Sequence, residues 1–116
     1  RLNELEQALL ALAQQEAASF NLQIQIDPKG KHLPTLMSPL MQDAIRSSAQ
    51  KLGLKYLNLA SGAGHDAQAL AGLCPVGMIF VPSVGGASHS PRELTNWEDC
   101  FNGANTLLQT VLALGS

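Results

Sequence analysis

"VGMIFVPS", residues 76–83, is apolar at Val76, Met78, Ile79, Phe80 and Val81, and shows no alternation of apolar and polar positions. A short run of this kind, closed by Pro82 and Ser83, predicts a strand covered on both faces, as in a parallel sheet flanked by helices. Upstream, "LKYLNLA" (54–60) is a second strand candidate, with a short helix over about 66–72 between the two. Before it, Ser38-Pro39 makes a helix start, with Ser at the N-cap and Pro at the first helical position. Met41, Ala44, Ile45 and Leu52 supply that helix with a stripe to bury, and Gly53 fits its C-terminal cap. Downstream, Thr95 and Glu98 form a predicted capping box opening a helix that runs to about Leu114 and buries Phe101, Ala104, Leu108 and Val111. From residue 38 the order is helix, strand, helix, strand, helix, which predicts an α/β fold with right-handed crossovers and a parallel sheet. Two parallel strands cannot make a sheet covered on both faces, so further strands are expected from outside this chain.

The first thirty residues read differently. Leu2, Leu5, Leu9 and Leu12 recur at helical spacing and predict an amphipathic helix to about Ser19. "NLQIQID" (21–27) alternates strictly, putting Leu22, Ile24 and Ile26 on one face of a half-wet strand that ends in turn residues Asp27, Pro28 and Gly30. "PKGKHLPTLM" (28–37) has no periodicity and two prolines, as in a crossing between subdomains. The chain opens on Arg1 and passes directly into a helical pattern without a capping residue, so it is expected to be cut from a larger protein.

Bulk properties exclude several classes. The 116 residues are 46% apolar and 14% charged, which describes one globular domain or a piece of one. A formal net charge of -2 gives no basic face for nucleic acid. No apolar run approaches the roughly 18 residues of a membrane span, and no signal-like segment opens the chain. Cys74 and Cys100 form no CxxC motif and are expected to be reduced thiols in a cytoplasmic protein.

Both strand candidates lead into loops that carry glycine and histidine: "SGAGHDAQAL" (61–70) and, within 82–91, "PSVGGASHSP". In open α/β sheets ligands bind at the carboxyl ends of strands, and glycine there lets backbone N–H groups approach a ligand closely. The first loop admits three readings: a phosphate cradle, a plain turn with Asp66 as N-cap, or a polar site built on His65. The phosphate reading lacks both GxGxxG and the Walker pattern. His89 is either a loop histidine held by Ser88 or Ser90, or a metal ligand, since neutral imidazole is a common one. A catalytic zinc site takes about three protein ligands. His32 sits in the crossing segment, and neither Glu93 nor Asp99 forms a recognised ligand pair with His89, so a metal site would need residues from upstream of Arg1.

At this point "SGAGHDA" (61–67) and "GMIFVPSVGGASHSPRE" (77–93) resemble the C-terminal end of the metal-dependent amidohydrolases that cleave N-carbamoyl-L-amino acids, β-ureidopropionate and allantoate. These belong to the aminopeptidase–acylase superfamily, and the likeness extends over essentially the whole chain. The resemblance implies an α/β fold: a piece of a zinc-peptidase-like mixed or parallel sheet with flanking helices, preceded by a helix and strand from an α+β lid or dimerisation domain. It assigns 1–30 to the end of that lid domain, 31–37 to a linker and 38–116 to the C-terminal part of the catalytic domain. It makes His89 the last protein ligand of a centre of two divalent ions, zinc or manganese, and Gly64 and His65 substrate-binding residues. The general base and the other ligands are then expected upstream, leaving this chain without a catalytic residue, without bound metal and self-associating, with its two glycine loops exposed or disordered. A homodimer acting on a small ureido or carbamoyl substrate is implied for the parent, with no nucleic-acid or membrane partner. Ala87 stands where a larger aliphatic is usual and Gln68 where methionine is common. A peptidase or aminoacylase of the same superfamily is the alternative, and a non-catalytic folded or dimerisation piece is the reading from a different class.

Overall fold

The structure is a computed structural model that describes residues 1–27, 30 and 33–115. It divides into two compact units, Arg1–His32 and Leu33–Ser116. Lys31 and His32 of the expected linker, and Pro28 of the expected turn, lie outside the described residues; Gly30 has a left-handed φ of +92°.

The first unit is dominated by helix α1, Leu2–Ser19. Its end is built by main-chain geometry. Leu22 N–H donates to Ala17 O (2.8 Å) and Asn21 N–H to Ala18 O (3.1 Å), the paired bonds of a Schellman motif. Asn21 is the left-handed residue of that motif, at φ 53°, a conformation that Asn tolerates better than most side chains. The apolar stripe Leu2, Leu5, Leu9 and Leu12 follows the expected spacing but stays exposed. Residues 22–27 run without helix or ladder.

The second unit holds α2 (Pro39–Lys51), α3 (Asp66–Leu70), a single 3₁₀ turn (Val84–Gly86) and α4 (Trp97–Leu114). Ser38 is the N-cap of α2 with Pro39 at its first position, and α2 ends in a second Schellman motif. Here Leu54 N–H reaches Ala49 O, Gly53 N–H reaches Gln50 O, and Gly53 takes φ +68°. Helix α3 starts at Asp66 as expected, while the caps differ from two sequence readings. His65, not Asp66, is the N-cap of α3, which leaves Asp66 in the first turn. Asn96, not Thr95, is the N-cap of α4. Its amide donates to Asp99 at 3.5 Å, and no Thr95–Glu98 box forms.

Helices α2 and α4 pack together through small hydroxyl-bearing residues. Ser48 and Ala49 are the buried residues of α2, and Thr106 and Thr110 those of α4, all at 2–5% exposure. The hydroxyls remain satisfied inside the contact because each bonds back along its own helix. Ser48 donates to Ala44 O (2.9 Å), Thr106 to Asn102 O (2.8 Å) and Thr110 to Thr106 O (2.7 Å). The predicted burial of Phe101, Ala104, Leu108 and Val111 is therefore corrected: these residues are exposed. The α2 stripe Met41, Ala44 and Ile45 is only half-buried, and Leu52 is exposed. The physical reason is that an apolar stripe is buried only where something covers it, and α2 meets the opposite face of α4.

No described residue belongs to a β-ladder, and residues 54–60 and 76–83 share no backbone hydrogen bond. The segment 76–83 is held from the helix side instead. Ser38 N–H donates to Val76 O at 2.8 Å. A Cβ placed on Gly77 would come within 2.8 Å of Met41 Cβ and 3.1 Å of Ile45 Cδ1, and one on Gly103 within 2.5 Å of Val81 Cγ1. Gly77 thus sets how closely the segment lies on α2, and Gly103 how closely Val81 lies on α4.

Gly77→Ala is expected to lower the urea midpoint of the chain by an amount equivalent to about 1–3 kcal/mol, because Met41 Cβ cannot move without its helix. Gly72→Ala, with nothing within 4 Å of the added atom, should leave it unchanged. Equal midpoints for the two variants would contradict the close approach.

Candidate functional site

The first loop is a tight hydrogen-bonded turn around His65. Ser61 Oγ lies 2.7 Å from His65 Nε2 and also accepts the Ala63 N–H at 3.2 Å. His65 N–H donates to Gln68 Oε1 (3.1 Å), and Gln68 N–H donates to His65 O (2.9 Å), at the start of α3. A Cβ on Gly64 would sit 3.6 Å from that same Gln68 oxygen, in ordinary contact. His65 is half-buried, and its ring lies edge-on to Phe80, with centroids 5.5 Å apart and planes at 66°.

The second loop is closed on itself. Val84 N–H donates to Leu94 O (2.8 Å), joining the loop's two ends. Ser83 Oγ sits at the same junction, 2.5 Å from Ala87 O and 3.4 Å from Leu94 O. Gly85 and Gly86 both take left-handed φ, +65° and +67°, a conformation that glycine adopts without steric cost. His89 is also left-handed, at φ 53°, an uncommon state for a residue with a Cβ. Its N–H donates to Glu93 Oε2 at 2.8 Å, so the Glu93 carboxylate braces the backbone that carries the imidazole. Ser90 Oγ accepts the Arg92 N–H at 3.3 Å.

Phe80 links the loops: it touches His65 from the first and stands three residues before Ser83, where the second begins. His65, Gly64 and His89 are placed where the sequence expects them, in the loops that follow 54–60 and 76–83. Sequence reasoning does not single out Ser61, Phe80 or Ser83, assigns Gln68 no role, and weighs Glu93 only as a metal ligand. The available signals are the four-residue spacing of Ser61 to His65 and of His89 to Glu93. Among the described residues no three His, Cys, Asp or Glu side chains come together as a cage for a metal ion. A single exposed imidazole, His89, falls short of the donor set a divalent ion takes, so the described residues do not by themselves fit one. His32 lies outside the described residues. Cys74 and Cys100 are free thiols. No described helix is long and apolar enough to cross a membrane. An open apolar groove lined by Met41, Ile45, Val81, Gly103, Leu107 and Val111 runs along α2 and α4, and neither histidine lines it.

The sequence pattern of Peptidase family M20/M25/M40 matches residues 7–113. The chain belongs to that family. It is 37% identical, over 97% of its length and 27% of the relative's, to an N-carbamoyl-L-amino acid amidohydrolase of Geobacillus stearothermophilus. It is 33% identical, over 90% of its length and 24% of the relative's, to the allantoate amidohydrolase of Escherichia coli. A crystal structure of a candidate amidohydrolase/peptidase from Burkholderia cenocepacia is similar at a TM-score of 0.70 and 40% identity, over 97% of this chain and 27% of that one. The chain thus spans about a quarter of the length of these relatives.

Replacing Glu93 by Ala is expected to speed hydrogen exchange at the His89 amide about tenfold, as the loss of one charge-assisted bond implies. Exchange unchanged at that amide would show that Glu93 does not brace the loop.

Proposed function

We propose that the chain is part of an enzyme hydrolysing the C–N bond of a linear ureido or amide substrate of the N-carbamoyl-L-amino-acid, ureidopropionate or allantoate type. The observation that carries the reading is the contact of His65 with Phe80, which joins the two histidine loops in a chain whose relatives include amidohydrolases for such substrates. In this reading residues 38–116 are the C-terminal part of a catalytic domain whose sheet takes 54–60 and 76–83 as strands. Residues 1–30 end a lid or dimerisation domain of a cytoplasmic homodimer. Gly64 allows the main chain to approach the substrate. His65 donates to the polar end of the scissile group, where negative charge develops as the carbonyl carbon becomes tetrahedral. His89 is one ligand of a divalent metal centre, zinc or manganese, whose other ligands and general base lie outside this chain. When bound, such ions supply an activated hydroxide and polarise a poorly electrophilic carbonyl.

The test uses the full-length polypeptide carrying this chain, with an N-carbamoyl-L-amino acid, allantoate and a dipeptide as substrates. Turnover of a ureido substrate and not of the dipeptide supports the reading, and preference for the dipeptide replaces it with a peptidase. His65→Ala should keep the bound metal and lower kcat about 10²- to 10³-fold. His89→Ala should lose metal and activity together, by elemental analysis and assay. An inactive His89→Ala protein with full metal content would remove His89 from the ligands.

A further inference from the structure

Resting on the reading of His65 as the substrate's donor, we propose that Ser61 is its positioning residue. The hydroxyl of Ser61, itself held by the Ala63 N–H, engages Nε2 and fixes the direction and tautomer of the imidazole against Phe80.

An imidazole on a surface loop turns about two side-chain bonds, and as a donor it is useful only in one direction and one tautomer. The main chain at His65 is already fixed by Gln68 Oε1, which accepts its N–H at 3.1 Å. That bond does not constrain the ring. Phe80 limits the ring on one side through an edge-on contact, which restricts tilt but does not discriminate between the two nitrogens. Ser61 Oγ, 2.7 Å from Nε2, is the contact that does discriminate. The oxygen is not a free rotor either. It accepts the Ala63 N–H at 3.2 Å, so it ties the main chain of the turn to the ring at its far end. A hydroxyl with one acceptor site occupied by a backbone amide has one proton and one lone pair left for Nε2. With the Ser61 O–H donating to Nε2, the ring's single proton sits on Nδ1, the nitrogen left to donate to the substrate. The four-residue separation of Ser61 and His65 across two glycines permits this closure, and Gly62 has open space around it.

The experiment compares wild type, Ser61→Ala, Ser61→Cys, Ser61→Thr and His65→Ala in the full-length polypeptide, with an N-carbamoyl-L-amino acid as substrate. It reads kcat, KM, metal content and, in ¹⁵N-histidine protein, the ring-nitrogen signals of His65 assigned by their loss in His65→Ala. Ser61 is exposed, so its replacement by Ala is expected to leave the fold intact, and Cys provides a second variant of similar size with a weak hydrogen bond. Wild type should show one His65 tautomer. Ser61→Ala and Ser61→Cys should show a mixture and lower kcat about 10- to 100-fold, with KM and metal content retained. Ser61→Thr, which keeps the hydroxyl, should restore both the single tautomer and the rate. A Ser61→Ala protein with wild-type kcat and tautomer, beside an inactive His65→Ala protein, overturns the positioning role and leaves the reading of His65 standing. Full activity in His65→Ala overturns that reading and the present proposal with it. Loss of metal or a rise in KM alone in Ser61→Ala also overturns the proposal, since a ring-positioning contact moves neither.

Discussion

Gly77 lies against α2 at a distance that leaves no room for a methyl group, and the arrangement of the second unit depends on that approach. With Gly77 seated on Met41 and Ile45, the segment 76–83 passes along α2 and reaches α4, where Gly103 makes the matching gap for Val81. The residues that the two packed helices bury are small, Ser48 and Ala49 on α2 and Thr106 and Thr110 on α4, and the three hydroxyls bond back to i−4 carbonyls. Among the described residues no buried side-chain polar atom is left without a partner. Phe80, one residue before Val81 in the clamped segment, is thereby positioned to meet His65, and Ser83 to close the loop that carries His89.

The same packing explains why so much apolar surface stays uncovered. Ala49 is the one buried apolar residue among those described, although nearly half the composition is apolar. Phe101, Leu108 and Val111 on α4, and Tyr56, Leu57 and Leu59 in the segment 54–60, are exposed. A self-sufficient domain of this size buries about two-thirds of the surface its unfolded chain presents. Among the described residues nothing covers these side chains.

Much of the local structure was legible in the sequence because it rests on short-range signals. The bounds of α1, the Ser38-Pro39 start of α2, Gly53 beyond its end and the left-handed pair Gly85-Gly86 all follow from residues within a few positions of one another. The two histidine loops were legible for the same reason, as glycine-rich breaks after apolar runs. What escaped depends on partners distant in sequence. Periodicity marks an apolar face on α4 but cannot say that α2 meets the other one. It likewise cannot supply a neighbour for 54–60 or 76–83, and without neighbours neither forms a ladder. The edge-on contact of His65 with Phe80 joins residues fifteen apart, beyond the reach of any local pattern. The cap of α4 falls one residue from expectation, and so does the cap in the plain-turn reading of the first loop, because Thr95 and Asp66 are good capping residues beside the ones that the backbone actually uses.

The central claim is that His65 and His89, carried by loops that Phe80 links, serve one substrate. A crystal structure of the full-length polypeptide with an N-carbamoyl-L-amino acid bound, recorded with anomalous scattering to locate any metal, tests it directly. The account predicts the carbamoyl oxygen within hydrogen-bond distance of His65 and a metal on the His89 imidazole in the same crevice. A substrate bound away from His65, or metal bound without His89, would contradict it.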